Sequence, residues 1–185
     1  MKLSNILVVS ILLGMMTSLN AGWNPFDEDS KKDEKKQAQN DAKTTISKFK
    51  KKNAKLKVFF NKAYGYAVFP TVGKAGIGIG GAYGSGVVYK KRSVVGYSSL
   101  TQVTFGFQLG GQAYSEIIFF KDKKALNKFT KGKFELGAQA SAVAITTGAS
   151  FDADYSNGVA IFTMAKGGLM YEATVGGQKF SYEKK

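Results

Sequence analysis

Apolar side chains recur at two different spacings along this chain, and the change near Ala63 separates a helical part from a β-rich one. Before it, Ala38, Ala42, Ile46, Phe49, Leu56, Phe60 and Ala63 follow one another at three- and four-residue steps, apart from a gap where Asn53 sits, which predicts an amphipathic helix. Pro25 breaks the extended segment 22–30 that leads in, and Ser30 followed by Asp33 offers a capping-box start close to Lys31. Lys43, Lys48, Lys50, Lys51, Lys52, Lys55, Lys57 and Lys62 surround the apolar stripe. Residues 31–39 are polar on every side, so only the later turns have a face to bury.

Beyond Ala63 the period becomes two. In residues 101–109, Val103, Phe105, Phe107 and Leu109 alternate with Gln102, Thr104, Gly106 and Gln108, the pattern of a strand that buries one side. Leu169, Tyr171, Ala173 and Val175 repeat it near the C-terminus. Segments 64–69, 86–90, 114–120 and 158–164 are further strand candidates, separated by Gly-rich or charged turns. One short helix interrupts them at residues 122–130, where Asp122 caps, Ala125, Leu126 and Phe129 share a side, and Gly132 follows the end. In residues 137–145, Ala138, Ala140, Ala142 and Ala144 alternate with Gln139, Ser141, Val143 and Ile145; the alternation favours strand although alanine itself favours helix. Together these elements predict an α+β fold: an antiparallel, strongly curved or barrel-like sheet, an N-terminal amphipathic basic helix and one short inserted helix.

Charge and targeting signals decide what such a lysine-rich helix meets. Lys2, the apolar run 6–16 and Leu19-Asn20-Ala21 have the three-part layout of a secretory signal peptide, so cleavage after Ala21 is expected. The run is shorter than the ~20 residues needed to span a bilayer. Without the leader, 26 basic residues face 13 acidic ones, a net charge of +13, which favours phosphate-bearing partners. Export makes phospholipid, not nucleic acid, the expected one. No cysteine is present for a disulfide, a thiolate metal site or a lipoprotein anchor, and no histidine for general-base work or imidazole ligation.

Four ordered blocks then carry a resemblance. Gly65-Tyr66-Ala67-Val68-Phe69-Pro70 is followed by Lys74-Ala75-Gly76-Ile77-Gly78-Ile79-Gly80-Gly81-Ala82-Tyr83-Gly84-Ser85-Gly86, then by Phe105-Gly106-Phe107-Gln108-Leu109-Gly110-Gly111-Gln112, and last by Gly132-Lys133-Phe134-Glu135-Leu136-Gly137-Ala138. Over residues 49–180 this order resembles the SYLF domain family, in its bacterial single-domain branch. The resemblance implies a lipid-binding domain. Eukaryotic members bind phosphoinositides, with a basic amphipathic N-terminal helix as a principal contact, and some also bind actin. In a bacterial envelope the head group would belong to another anionic phospholipid.

Other motifs read as structure. Gly76, Gly78 and Gly81 match a dinucleotide fingerprint, but that chemistry needs a helix after the glycines and an acid about 20 residues on, whereas residues 83–90 read as strand and Glu116 is the next acid. Gly76, Gly80 and Gly84 also make a small-residue series, yet the stretch between Lys74 and Lys90 is too short to span a membrane as a helix. Asp152 and Asp154 would share a side if extended, but they run into the turn signature Ser156-Asn157-Gly158. Ser98, Ser99 and Ser141 lack a histidine and the Ser-x-x-Lys spacing.

The expectation is therefore a non-enzymatic protein without cofactor or metal. Residues 1–21 are its leader, 22–48 a polar and basic segment with the start of the helix, and 49–185 the SYLF-like domain. It would be periplasmic or secreted and peripheral to the membrane, docking on anionic phospholipid through Lys48, Lys50, Lys51, Lys52, Lys55, Lys57 and Lys62. Phe49, Leu56 and Phe60 share the stripe and are expected to face the sheet, which leaves Phe59 to insert at the interface. Two alternatives are a structural or interaction protein of the envelope, binding a protein partner or itself through sheet edges, and a carrier holding an acyl chain in a Gly/Ala-lined pocket.

Overall fold

The computed structural model describes residues 28–131, 134–136, 142–144 and 155–185. The chain divides into two compact units, Met1–Gln37 and Ala38–Lys185. Helix α1 (Glu28–Lys52) runs through that boundary; within the first unit, residues 28–37 of it are charged or polar throughout. In the second unit Ala42, Thr45 and Phe49 are buried and Ile46 is half-buried, which is the stripe the spacing predicts. The gap at Asn53 is a genuine break. The Asn53 N–H still donates to the Phe49 carbonyl at 3.0 Å, while its side-chain Oδ1 accepts from the Lys55 N–H at 3.0 Å and turns the chain into a new helix, α2 (Leu56–Lys62).

The strands that follow are far longer than the punctuation suggested. β1 (Gly65–Lys90) and β2 (Ser93–Phe120) form one antiparallel hairpin. After helix α3 (Lys123–Thr130) and two short strands, β3 (Phe134–Leu136) and β4 (Ala142–Ala144), β5 (Val159–Phe180) runs back along β2, and β6 (Glu183–Lys184) continues on it. Each of β1, β2 and β5 unites two segments expected to be separate. Glycine and proline sit at irregularities inside the strands: Pro70 and Thr71 occupy a register shift between Phe69 and Val72, where proline's missing N–H leaves no ladder bond unmade. Gly78, at φ +70°, occupies another between Ile77 and Ile79.

The six strands are ordered β1-β2-β5-β3, with β4 pairing β5 in parallel and every other pairing antiparallel. The fold is α+β with a curved sheet, but the sheet is not closed into a barrel: among the described residues β1 has a ladder to β2 only. β1 instead folds over itself. A Cβ at Gly86 would lie 2.6 Å from the Phe69 ring, one at Gly84 2.8 Å from the Thr71 carbonyl, and one at Gly65 2.6 Å from the Tyr89 carbonyl. Each pairing is centred on residue 77 or 78, so the two limbs of β1 meet about a bend at Gly78, and glycine is what lets them approach.

Each face of the sheet has its own core. One encloses Phe69, Leu100, Ile118, Phe120, Ile161 and Phe180 under Leu126 and Phe129 of α3. Asp122 caps α3 as its sequence predicts, its carboxylate accepting from the Ala125 N–H at 2.8 Å. On the other face Phe49, Leu56 and Phe60 pack on Tyr66, Val68, Ile117, Phe119 and Phe162.

The row Val103, Phe105 and Leu109 departs from expectation by facing water, 54–60% exposed, while Thr104 is buried. Opposite positions on the concave side of β1 are Gly80, Ala82, Gly84 and Gly86, all buried. With the limbs so close, Phe69 and Val72 of one limb leave room only for small side chains at Gly84 and Gly86 of the other. The glycines 76, 78 and 81 lie inside β1 with strand on both sides, so no helix N-terminus awaits a pyrophosphate. The expected leader, Asp152 and Asp154, and residues 137–141 and 145 of the Ala-rich stretch lie outside the described residues; of that stretch, 142–144 is strand, as its alternation indicated.

Candidate anion-binding cleft

The buried stripe of α1 fixes where its lysines point. Because successive residues turn by about 100° around a helix, seating Phe49 on the sheet brings Lys48, Lys51 and Lys52 to the flank of the contact. Their counterpart comes from the sheet. Lys166 is the extra residue of a bulge in β5, between Ala165, which pairs with Tyr114, and Gly167, which pairs with Ala113. Its ammonium reaches across β2 to the other bulge, donating to Thr71 Oγ1 at 2.5 Å and to the Pro70 carbonyl at 3.4 Å. The Ser115 hydroxyl donates to the same carbonyl at 2.7 Å.

Between these elements lies a cleft of about 520 Å³, lined by Thr45, Lys48, Lys51, Lys52, Ser115, Met164, Ala165 and Lys166. Four lysines and, among the described residues, no Asp or Glu line it. Lysines in the last turn of a helix are favourable in any protein, since they offset the negative end of the helix dipole by about 0.3–1 kcal/mol each. That account does not reach Lys166, which belongs to a different element. A cleft lined by lysines from two elements is suited to an anion.

The remaining residues marked by the sequence are distributed elsewhere. Lys50 lies with its Nζ 4.6 Å above the ring of Phe60, a cation–π contact that turns it from the cleft. Lys55, just before α2, and Lys57 and Lys62 on it are exposed and do not line the cleft. Phe59 corrects the expectation of an inserting side chain: its ring packs on Phe119 at 5.4 Å, Tyr155 at 5.4 Å and Phe162 at 5.0 Å. Phe60 packs beside it, on Phe119 at 4.8 Å and Tyr66 at 5.3 Å. The break at Asn53 resets the phase of the stripe, so adjacent phenylalanines both reach the sheet, and Val58, 49% exposed, is the apolar side chain α2 shows to solvent. Lys166 was missed; its signal was a single lysine before Gly167-Gly168, between two alternating runs.

A second polar feature is interior. Glu116 on β2 is fully buried, with Oε2 accepting from Gln178 Nε2 at 3.0 Å and Oε1 without a hydrogen-bond partner. Burial pushes its carboxyl up to about 7, against the lowering effect of the Gln178 bond. Among the described residues no group of three or more His, Cys, Asp or Glu is placed to hold a metal, and no helix is long and apolar enough to cross a membrane.

Comparison with known proteins agrees with the blocks read from the sequence. The family model Ysc84, described as Las17-binding protein actin regulator, matches residues 101–185, which include most of β2, α3, β5 and Lys166. Beta cell expansion factor A of Aeromonas veronii is 29% identical over 144 residues, 77% of this chain and 55% of that protein. The chain thus spans little more than half the length of that relative. The block order over β1 and β2 and the match over residues 101–185 agree in the family they resemble, Ysc84 or SYLF.

Proposed function

We propose that this protein binds anionic phospholipid at a membrane surface, outside the cytoplasm and without catalysis, by receiving head-group phosphates in the cleft between α1 and β5. The observation that supports the reading is that Lys166 on β5 and Lys48, Lys51 and Lys52 on α1 line one cavity that has no Asp or Glu among its described lining residues. Its volume lies within the ~300–1,000 Å³ typical of small-ligand sites. The family resemblance points to lipid as the class of ligand, and a net charge of +14 draws the molecule toward any anionic surface.

The test is vesicle flotation of the full chain with phosphatidylcholine alone and with phosphatidylglycerol added. Each lysine close to an anionic surface contributes about 1 kcal/mol. Replacing Lys48, Lys51, Lys52 and Lys166 by Gln together should weaken partition by roughly three orders of magnitude at low salt. Replacing Lys55, Lys57 and Lys62 by Gln should do much less. Equal losses from the two sets, or salt-indifferent binding to the neutral vesicles, would refute the cleft as the site.

A further inference from the structure

The bend that folds β1 over itself leaves a protruding apolar knuckle, formed by Ile77, Ile79 and Tyr83 of β1 and Val103, Phe105 and Leu109 of β2. All six side chains are at least 54% exposed, Ile77 reaching 81%. Register makes them one patch: Ile77 pairs with Leu109, Ile79 with Phe105, and Gly81, two residues from Tyr83 and from Ile79, pairs with Val103. We propose that this knuckle enters the acyl region of the bilayer whose head groups the cleft receives. The proposal rests on the lipid reading but concerns a different part of the surface.

Three observations favour an anionic bilayer over a protein partner. First, the patch lies on the convex side of the bend at Gly78 and so projects outward. Second, between Ala63 and Ser115 the sequence contains no Asp or Glu; its only charges are Lys74, Lys90, Lys91 and Arg92. The two strands that form the projection bring it no carboxylate and so offer an anionic surface no like charge, although the neighbouring β5 has Glu172 in register with Gln108. Third, the knuckle and the cleft occupy the same side of β2. Ser115, which lines the cleft, and Leu109 are six residues apart, in phase, with about 20 Å of strand between them. Small residues, Ala113 and Gly111, fill the interval. Cations at one end and apolar side chains at the other match the order of head group and acyl chain.

The full chain with Phe105→Trp, in a Trp23→Phe background that removes the native indole, places a reporter on the knuckle. On vesicles of phosphatidylcholine and phosphatidylglycerol carrying brominated acyl chains, its emission should shift to the blue and be quenched. In parallel, Ile79→Thr with Phe105→Thr keeps β-forming side chains at exposed positions, and an unchanged unfolding midpoint would establish that the fold is intact. This variant should bind at low salt but lose about tenfold or more of the parent's retention at ~500 mM salt, where lysine attraction is screened. Vesicle binding with the indole still in water would overturn the knuckle proposal and leave the cleft reading standing. A blue shift that grows with protein concentration without lipid, together with dimers in sedimentation, would overturn it in favour of a second copy as the occupant. Retained acyl quenching in the four-lysine variant would uphold the knuckle and sink the cleft. Failure of the parent to bind either vesicle would sink both.

Discussion

Glu116 offers a test of the interior with few competing explanations. Its carboxyl is held at about 7 in the folded protein, against an ordinary value of 4.5, because ionising it leaves a charge in the sheet with one hydrogen bond and one bare oxygen. The folded state therefore binds the proton more tightly than the unfolded chain. Between pH ~4.5 and ~7 the folded state carries more protons, so stability falls as pH rises through that window and levels off above it. The difference of roughly 2.5 pH units corresponds to about 3 kcal/mol. The chain has no histidine, so no other side chain with an ordinary pKa titrates in the upper half of the window. Glu116→Gln keeps an acceptor for Gln178 but adds an N–H pair beside the bare position, which costs about 1–3 kcal/mol at every pH. The comparison of slopes is consequently cleaner than that of absolute values. Urea unfolding at pH 5, 6, 7 and 8 should show the parent losing about 2–3 kcal/mol across the series and the variant staying nearly flat. Parallel curves would refute the assignment.

Two further predictions concern packing. Gly86→Ala puts a methyl 2.6 Å from the Phe69 ring and 2.7 Å from the Val68 carbonyl, so it should cost about 1–3 kcal/mol or more in urea unfolding, whereas Gly73→Ala, whose new methyl meets nothing within 4 Å, should stay close to neutral. Phe59→Ala removes the ring that contacts Phe119, Tyr155 and Phe162 and should destabilise by about 3 kcal/mol, while Val58→Ser should leave the unfolding midpoint unchanged; the reverse order would restore Phe59 as an exposed side chain.

The helical stripe and the Asp122 cap could be read in advance because each depends on neighbours within a turn, whereas the gap at Asn53 was not read as the end of one helix and the start of another. Strand length could not. Pro70 and the glycines around Gly78 end strands in most sequences, and only long-range pairing of β1 with β2 carries the ladder past them. Alternation in 101–109 identified a strand correctly but gave the wrong side, since a period of two fixes which residues share a face and not which face is covered. The covered side was decided by Gly80, Ala82, Gly84 and Gly86 on the partner strand and by the fold-back of β1. At the site the same limit holds: Lys48, Lys51 and Lys52 were legible as a basic flank, whereas their meeting with Lys166 requires the register of β5 on β2. Phe59 was misjudged by treating two helices as one.

The hairpin closes at Lys91 and Arg92, both in the left-handed region at φ 46° and 72°, and Arg92 Nη2 donates to Asn61 Oδ1 at 2.9 Å. From that turn the pairing must zip outward until Gly65 meets Phe120, so contacts become steadily more remote in sequence as assembly proceeds. A slip of one residue anywhere along the way would exchange the two cores, setting Phe69 and Val68 in each other's places. The irregularities at Pro70 and Gly78 act as keyed stops against such slippage. The chain thus carries its own alignment marks, and they are the same residues that shape the cleft and the knuckle.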